Sequence, residues 1–258
     1  MVVNARKQAA GSAKIPPANT AYGKLIAYEM DVTGNEKVND AYNLHLYQNI
    51  NSNYTLLLHM DLQWFFDTIK DYTNRKGEKV EIDVPPWTLI EKKEYVKKWE
   101  KLIRAHWDNY KINIKTKNGK TITLKLSFQM QIEGWLYDNW EITVYKAAAK
   151  NAFRFDSRTR YRSRVIPSAC ANPLKNNVLL SKQDLRYIRI HYRGTETEYN
   201  TAVHEFSHFM GLEDEYPVEG GGRVGPYNKD LHSIVNMGLK IRDRHVKFLA
   251  DWVNKQLT

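Results

Sequence analysis

Toward the C-terminal end, the segment His204-Glu205-Phe206-Ser207-His208 sets two imidazoles four residues apart with a carboxylate beside the first. On a helix, residues four apart lie on one face about a turn apart, so both rings can reach a single ion. Zinc accepts imidazole nitrogen, and a catalytic zinc keeps three protein ligands and one open position for water. Glu205 falls next to the ion and is left to activate the hydrolytic water instead of binding metal. Ala202, Val203, Phe206, Phe209 and Met210 predict that this helix is buried. A pattern with three fixed positions also arises by chance, so its surroundings must decide.

The chain continues His208-Phe-Met-Gly-Leu-Glu-Asp-Glu-Tyr216, in which Gly211 can take the positive φ that ends a helix and turns the backbone. This resembles the metzincin arrangement His-Glu-x-x-His-x-x-Gly-x-x-His, with Asp214 where the third histidine usually stands. The resemblance implies Asp214 as third ligand to one Zn2+, with Glu213 and Glu215 as alternatives. His232-Ser-Ile-Val-Asn-Met-Gly238 resembles the methionine-containing turn that metzincins carry beneath their ligands; the plainer reading is a core methionine, Met237, at a glycine turn. His245 is a candidate donor to a developing oxyanion at the rim of the site, a role open also to Tyr216 and Tyr227. The plainer reading of His245 is a partly exposed histidine at a helix start. Cys170 could serve as a fourth, inhibitory ligand, but a buried free cysteine is the commoner case.

Several elements must hold these residues. Strand-like runs, LIAYEMDV and TLLLHMDLQWFF, flank a polar segment around Gly34 to Asn53 that reads as a connection. After Pro85-Pro86, Val96, Trp99, Ile103 and Trp107 recur at helical spacing, which predicts a helix over about 88–109 with Thr88 as N-cap. KINIKTKNGKTITLKLSFQMQI alternates about Asn118-Gly119 and predicts a β-hairpin. WEITVY and YIRIHYR are further strands, joined by an Arg-rich connection from Phe153 to Leu180. The last segment reads as a helix with Val246, Leu249 and Val253 on its apolar face.

Apolar residues make up 42% of the 258 positions, enough to build a core. A single cysteine excludes an intramolecular disulfide. The formal charge of +10 is spread along the chain without a nucleic-acid-binding motif, so no nucleic-acid partner is expected. No run reaches the roughly 20 apolar residues of a membrane span. Residues 1–20 read as a flexible basic tail without the apolar stretch of a secretory signal, and residues 21–258 as one catalytic domain, β-rich over 21–85 with the catalytic core over 86–258.

HEFSHFMGLEDEY, SIVNMG and RDRHVKFLADW together resemble the catalytic end of zincin-type effector peptidases carried by bacterial contractile injection machines, including the type VI secretion system. The resemblance covers about the last 65 residues. It implies an α+β, zincin-like fold: a twisted, mainly antiparallel sheet, a backing helix and the HExxH active-site helix beneath. It further implies a toxin made in the cytoplasm and exported by a specialised machine, with a protein or peptide substrate, a loading partner or machine component, and an immunity protein. The competing reading is a catalytically silent binding or structural protein that retains its zinc site.

Overall fold

A computed structural model describes residues 18–35, 37–69, 71–73, 79–81, 84–108, 110–115, 121–131, 139–146, 170–192, 194–216 and 226–257. The first part of the chain forms β1 (Asn19–Thr20), β2 (Gly23–Gly34), β3 (Val38–Gln48), β4 (Tyr54–Thr68), β5 (Asp71–Thr73), β6 (Lys79–Glu81) and α1 (Leu89–Trp107). The second part forms β7 (Lys111–Lys115), β8 (Thr121–Gln131), β9 (Trp140–Lys146), β10 (Cys170–Asn172), β11 (Asn177–Ser181), β12 (Tyr187–Tyr192), β13 (Thr195–Asn200), α2 (Thr201–Phe209) and α3 (Asp243–Gln256). The architecture is α+β. Among the described residues, no helix is long and apolar enough to cross a membrane.

One large sheet runs in the order β1-β2-β3-β4-β9-β11-β10, with β8 also paired to β4 and β7 to β8. It is mostly antiparallel, as expected, with parallel ladders at its centre. The β4–β8, β4–β9 and β9–β11 ladders are parallel. β4 is long enough to pair β8 with its first half and β9 with its second, so the sheet crosses the line drawn at residue 85. Parallel partners require a crossover, and α1 lies in the one between β4 and β8. Leu56, Leu57 and Leu58 are all buried in succession, so both faces of β4 are covered there.

The polar segment from Gly34 to Asn53 is more than a connection, because most of it is β3. Its Asn43 and His45 disguise a strand whose Ala41, Tyr42, Leu44, Leu46 and Tyr47 are buried. Asn43 Oδ1 accepts the Asp31 amide at 2.8 Å, beside irregularities in the β2–β3 register. His45 is pushed down to about 4 by burial and by neighbouring His59, which keeps it neutral inside the protein. The Arg-rich connection likewise contains β10 and β11. The Asn118-Gly119 turn lies outside the described residues, but β7 and β8 pair antiparallel as the hairpin requires. Of the expected tail, Asn19 and Thr20 pair with β2, and residues 1–17 lie outside the described residues.

α1 starts where its sequence says it should. The Thr88 side chain accepts from the Glu91 amide, and the Glu91 carboxylate returns to the Thr88 amide, a reciprocal cap. The buried face of α1, including Trp99 and Trp107, meets α2 through Phe206, whose ring lies 5.8 Å from Trp99, 6.2 Å from Trp107 and 5.5 Å from Phe128. On the sheet side Phe209 stacks on Trp140 at 4.0 Å. Aromatic packing from a helix and from the sheet therefore fixes how α2 sits.

Candidate metal centre

α2 carries His204, Glu205 and His208, and every residue from Ala202 to Phe209 is buried. Asn200 caps it by accepting the Val203 amide at 3.1 Å. Two residues past the end of α2 stands Gly211, whose φ of 79° is left-handed and whose added Cβ would stand 2.2 Å from the Gly34 carbonyl oxygen. Conformation and close approach both demand glycine. The chain then doubles back, as the sequence predicted.

That reversal brings Asp214 Oδ1 to 3.0 Å from His204 Nε2 and 3.4 Å from His208 Nε2. The far side of each ring is anchored. His204 Nδ1 faces the Ile234 carbonyl at 3.0 Å, and His208 Nδ1 the Leu212 carbonyl at 2.6 Å. A carbonyl can only accept, so each Nδ1 carries the hydrogen, and each Nε2 is left facing Asp214, with a proton when the ring is charged and with a lone pair when it is neutral. Asp214 Oδ1 is itself buried, with the two imidazole nitrogens facing it. Three electron-rich atoms so close repel unless positive charge lies among them. Metal ligands at ~2.0–2.1 Å in tetrahedral geometry stand about 3.3 Å apart, so this donor set fits zinc.

Positive charge is favoured at this point. Burial pulls His208 down, but Asp214, Glu205 and the Leu212 carbonyl raise it to about 9. Burial pushes Asp214 up, yet the two histidines hold it well below the usual carboxylate range. Glu205 is raised by burial, against the opposing pull of His204, His208 and the Ala171 amide. That amide, on strand β10, donates to Glu205 Oε2 at 2.7 Å.

The neighbouring carboxylates point elsewhere. Glu213 pairs with Lys37 at 2.7 Å in solvent. Glu215 accepts two bonds from Arg244, at 2.7 and 2.8 Å, and its amide donates to the Val235 carbonyl. Burial would raise Glu215, but His245, Arg244 and Ser233 bring it to about 2. Of the three acidic candidates, the fold brings only Asp214 to the histidine pair.

His245 requires a correction. It is neither at the rim nor partly exposed, because the start of α3 packs against Glu215 and Ser233. Its Nδ1 accepts the Arg242 amide, and its Nε2 lies 3.3 Å from Glu215 Oε1 and from Ser233 Oγ. Both nitrogens are therefore engaged away from the histidine pair. Tyr227 lies under the Arg244 guanidinium at 4.2 Å. Tyr216 does reach the centre, with its ring 5.9 Å from that of His204 and its phenol pushed up by burial, Asp214 and Glu205. Cys170 is exposed, not buried as expected; partial shielding and Glu205 push its thiol up.

The chain matches no family model, no curated protein and no solved structure. Its chemistry is therefore argued from the geometry.

The turn at 233–238 reaches the site through backbone carbonyls. Ile234 takes His204, Val235 takes the Glu215 amide, and Met237 accepts the Thr197 hydroxyl at 2.6 Å. Two neighbours escaped sequence reasoning. Ala171 is a small residue in an irregular stretch and carries no signal of its own. Tyr199, whose ring stands 5.4 Å from His204, could have been suspected as an aromatic just before the helix cap.

Proposed function

We propose that the chain is a zinc-dependent peptidase in which His204, His208 and Asp214 hold the ion and Glu205 moves the proton. The convergence of Asp214 Oδ1 on two oriented imidazole nitrogens carries this reading. Zinc, when bound there, would acidify a water and polarise the scissile carbonyl. Glu205 lies one residue along α2 from His204, and its burial favours uptake of a proton. Glu205 takes the proton of the attacking water and returns it to the leaving amine. The Ala171 amide holds one oxygen of that carboxylate and so fixes its orientation. Tyr216, pushed up by burial and by Asp214, keeps its phenolic proton through the neutral range and would donate a hydrogen bond to a developing oxyanion.

The finer fold reading is zincin-like, with α1 backing the sheet, α2 beneath it and the peptide running along β10, which among the described residues pairs only with β11. Delivery as an effector by an injection machine rests on the sequence resemblance alone. Metal analysis of purified protein, paired with digestion of proteins and peptides before and after chelation, tests the reading. Stoichiometric zinc and chelator-sensitive cleavage are expected. Cleavage indifferent to chelator would overturn it.

A further inference from the structure

We infer that hairpin β12–β13 selects the substrate, favouring a protein chain with a bulky apolar residue beside the bond that is cut. This inference rests on the peptidase reading. The register sets Ile188 opposite Tyr199, Ile190 opposite Thr197 and Tyr192 opposite Thr195. Residues directly opposite in an antiparallel pair share a face, as do alternate residues along each strand. These side chains therefore form one face without a charge. Arg189, His191, Glu196 and Glu198 occupy the other, where Glu196 lies 3.6 Å from Arg189 and 3.8 Å from His191.

Two members of the uncharged face fix where it looks. Tyr199 stands against His204, and Thr197 bonds the Met237 carbonyl in the turn whose Ile234 carbonyl meets His204. Yet Ile188 is 43% exposed and Tyr192 37% exposed. Apolar surface thus runs from the metal centre out into water. Opposite Cβ atoms lie about 4.5–5.5 Å apart, and successive residues of a peptide advance ~3.8 Å. A chain whose carbonyl reaches the centre past Tyr199 therefore brings an adjacent side chain onto Ile188. With no charge on this face, desolvation penalises an acidic or basic residue there and rewards an aliphatic or aromatic one.

The test compares the zinc-loaded parent with Ile188→Asp and Ile188→Val on a peptide library made from a proteome digest, with cut sites read by mass spectrometry. The parent should cut next to Leu, Ile, Phe or Met. Ile188→Asp should lower kcat/KM on the best such peptide by about tenfold or more. The matched peptide with Lys at that position should gain, and Ile188→Val should keep the parent preference. A merely structural role would lower both peptides alike. Equal losses, or one cut pattern in parent and Ile188→Asp, would overturn the inference and leave the peptidase reading standing. Fragments released only from purified peptidoglycan would also overturn it. A zinc-loaded parent that cuts nothing would sink both.

Discussion

The amide of Ala171 donates to Oε2 of Glu205 at 2.7 Å, joining strand β10 to the one carboxylate on the buried face of α2. A carboxylate held this way takes its orientation from the backbone of β10 and not from the histidine pair. It is also the natural place to separate metal binding from chemistry.

Glu205→Ala should hold zinc at the parent stoichiometry while losing hydrolysis by about three orders of magnitude or more. His204→Ala should lose both. Metal content by mass spectrometry and cleavage rates on one verified peptide make the comparison. A fully active Glu205→Ala would end the proposed mechanism.

Asp214→Ala should weaken zinc about a hundredfold or more, since it removes a ligand, and Glu213→Ala should change it by less than about twofold. Glu213 shares an exposed ion pair with Lys37, and such pairs matter little. Competition with a chromophoric chelator measures both affinities. Equal effects would mean that Asp214 is not the third ligand.

Arg244→Met should destabilise the fold by about 3 kcal/mol, because the buried Glu215 loses two charge-assisted bonds. Glu215 follows Asp214 directly, so zinc should also bind about tenfold more weakly. Denaturant midpoints and chelator competition report the two effects separately. Lost stability with unchanged affinity would confine the Glu215–Arg244 pair to holding the fold.

Glu91→Gln tests the cap of α1. Glu91 is lowered to about 2 by Lys146 and by the Thr88 amide, from an ordinary 4.5. A carboxylate depressed in the folded state stabilises above its unfolded value and loses that contribution as pH falls. Gln can still accept the Thr88 amide, so at pH 7 the variant should be less stable by about 1 kcal/mol, the solvent-screened share of the Lys146 pair. The gap from the parent should close as pH drops from 4.5 toward 2. Thermal midpoints across that window decide it, and a gap constant with pH would assign the effect to packing.

What the sequence determined by itself was local. Helical spacing and the Thr88 cap marked α1, strict alternation marked β7 and β8, and the four-residue interval put His204 and His208 on one face of α2. Each signal lies within a few residues, where backbone geometry alone dictates which side chains share a face. The tertiary structure decided the rest. Asn43 and His45 sit in a buried strand because Asp31 and His59, distant in sequence, surround them. Asp214 meets the histidines while Lys37 holds Glu213 and Arg244 holds Glu215 elsewhere, and His245 turns away because Glu215, 30 residues earlier, lies beside it. Gly211 was legible as a turn, but the Gly34 carbonyl that forbids a side chain there was not. These outcomes depend on which distant surfaces meet, and no local pattern records that.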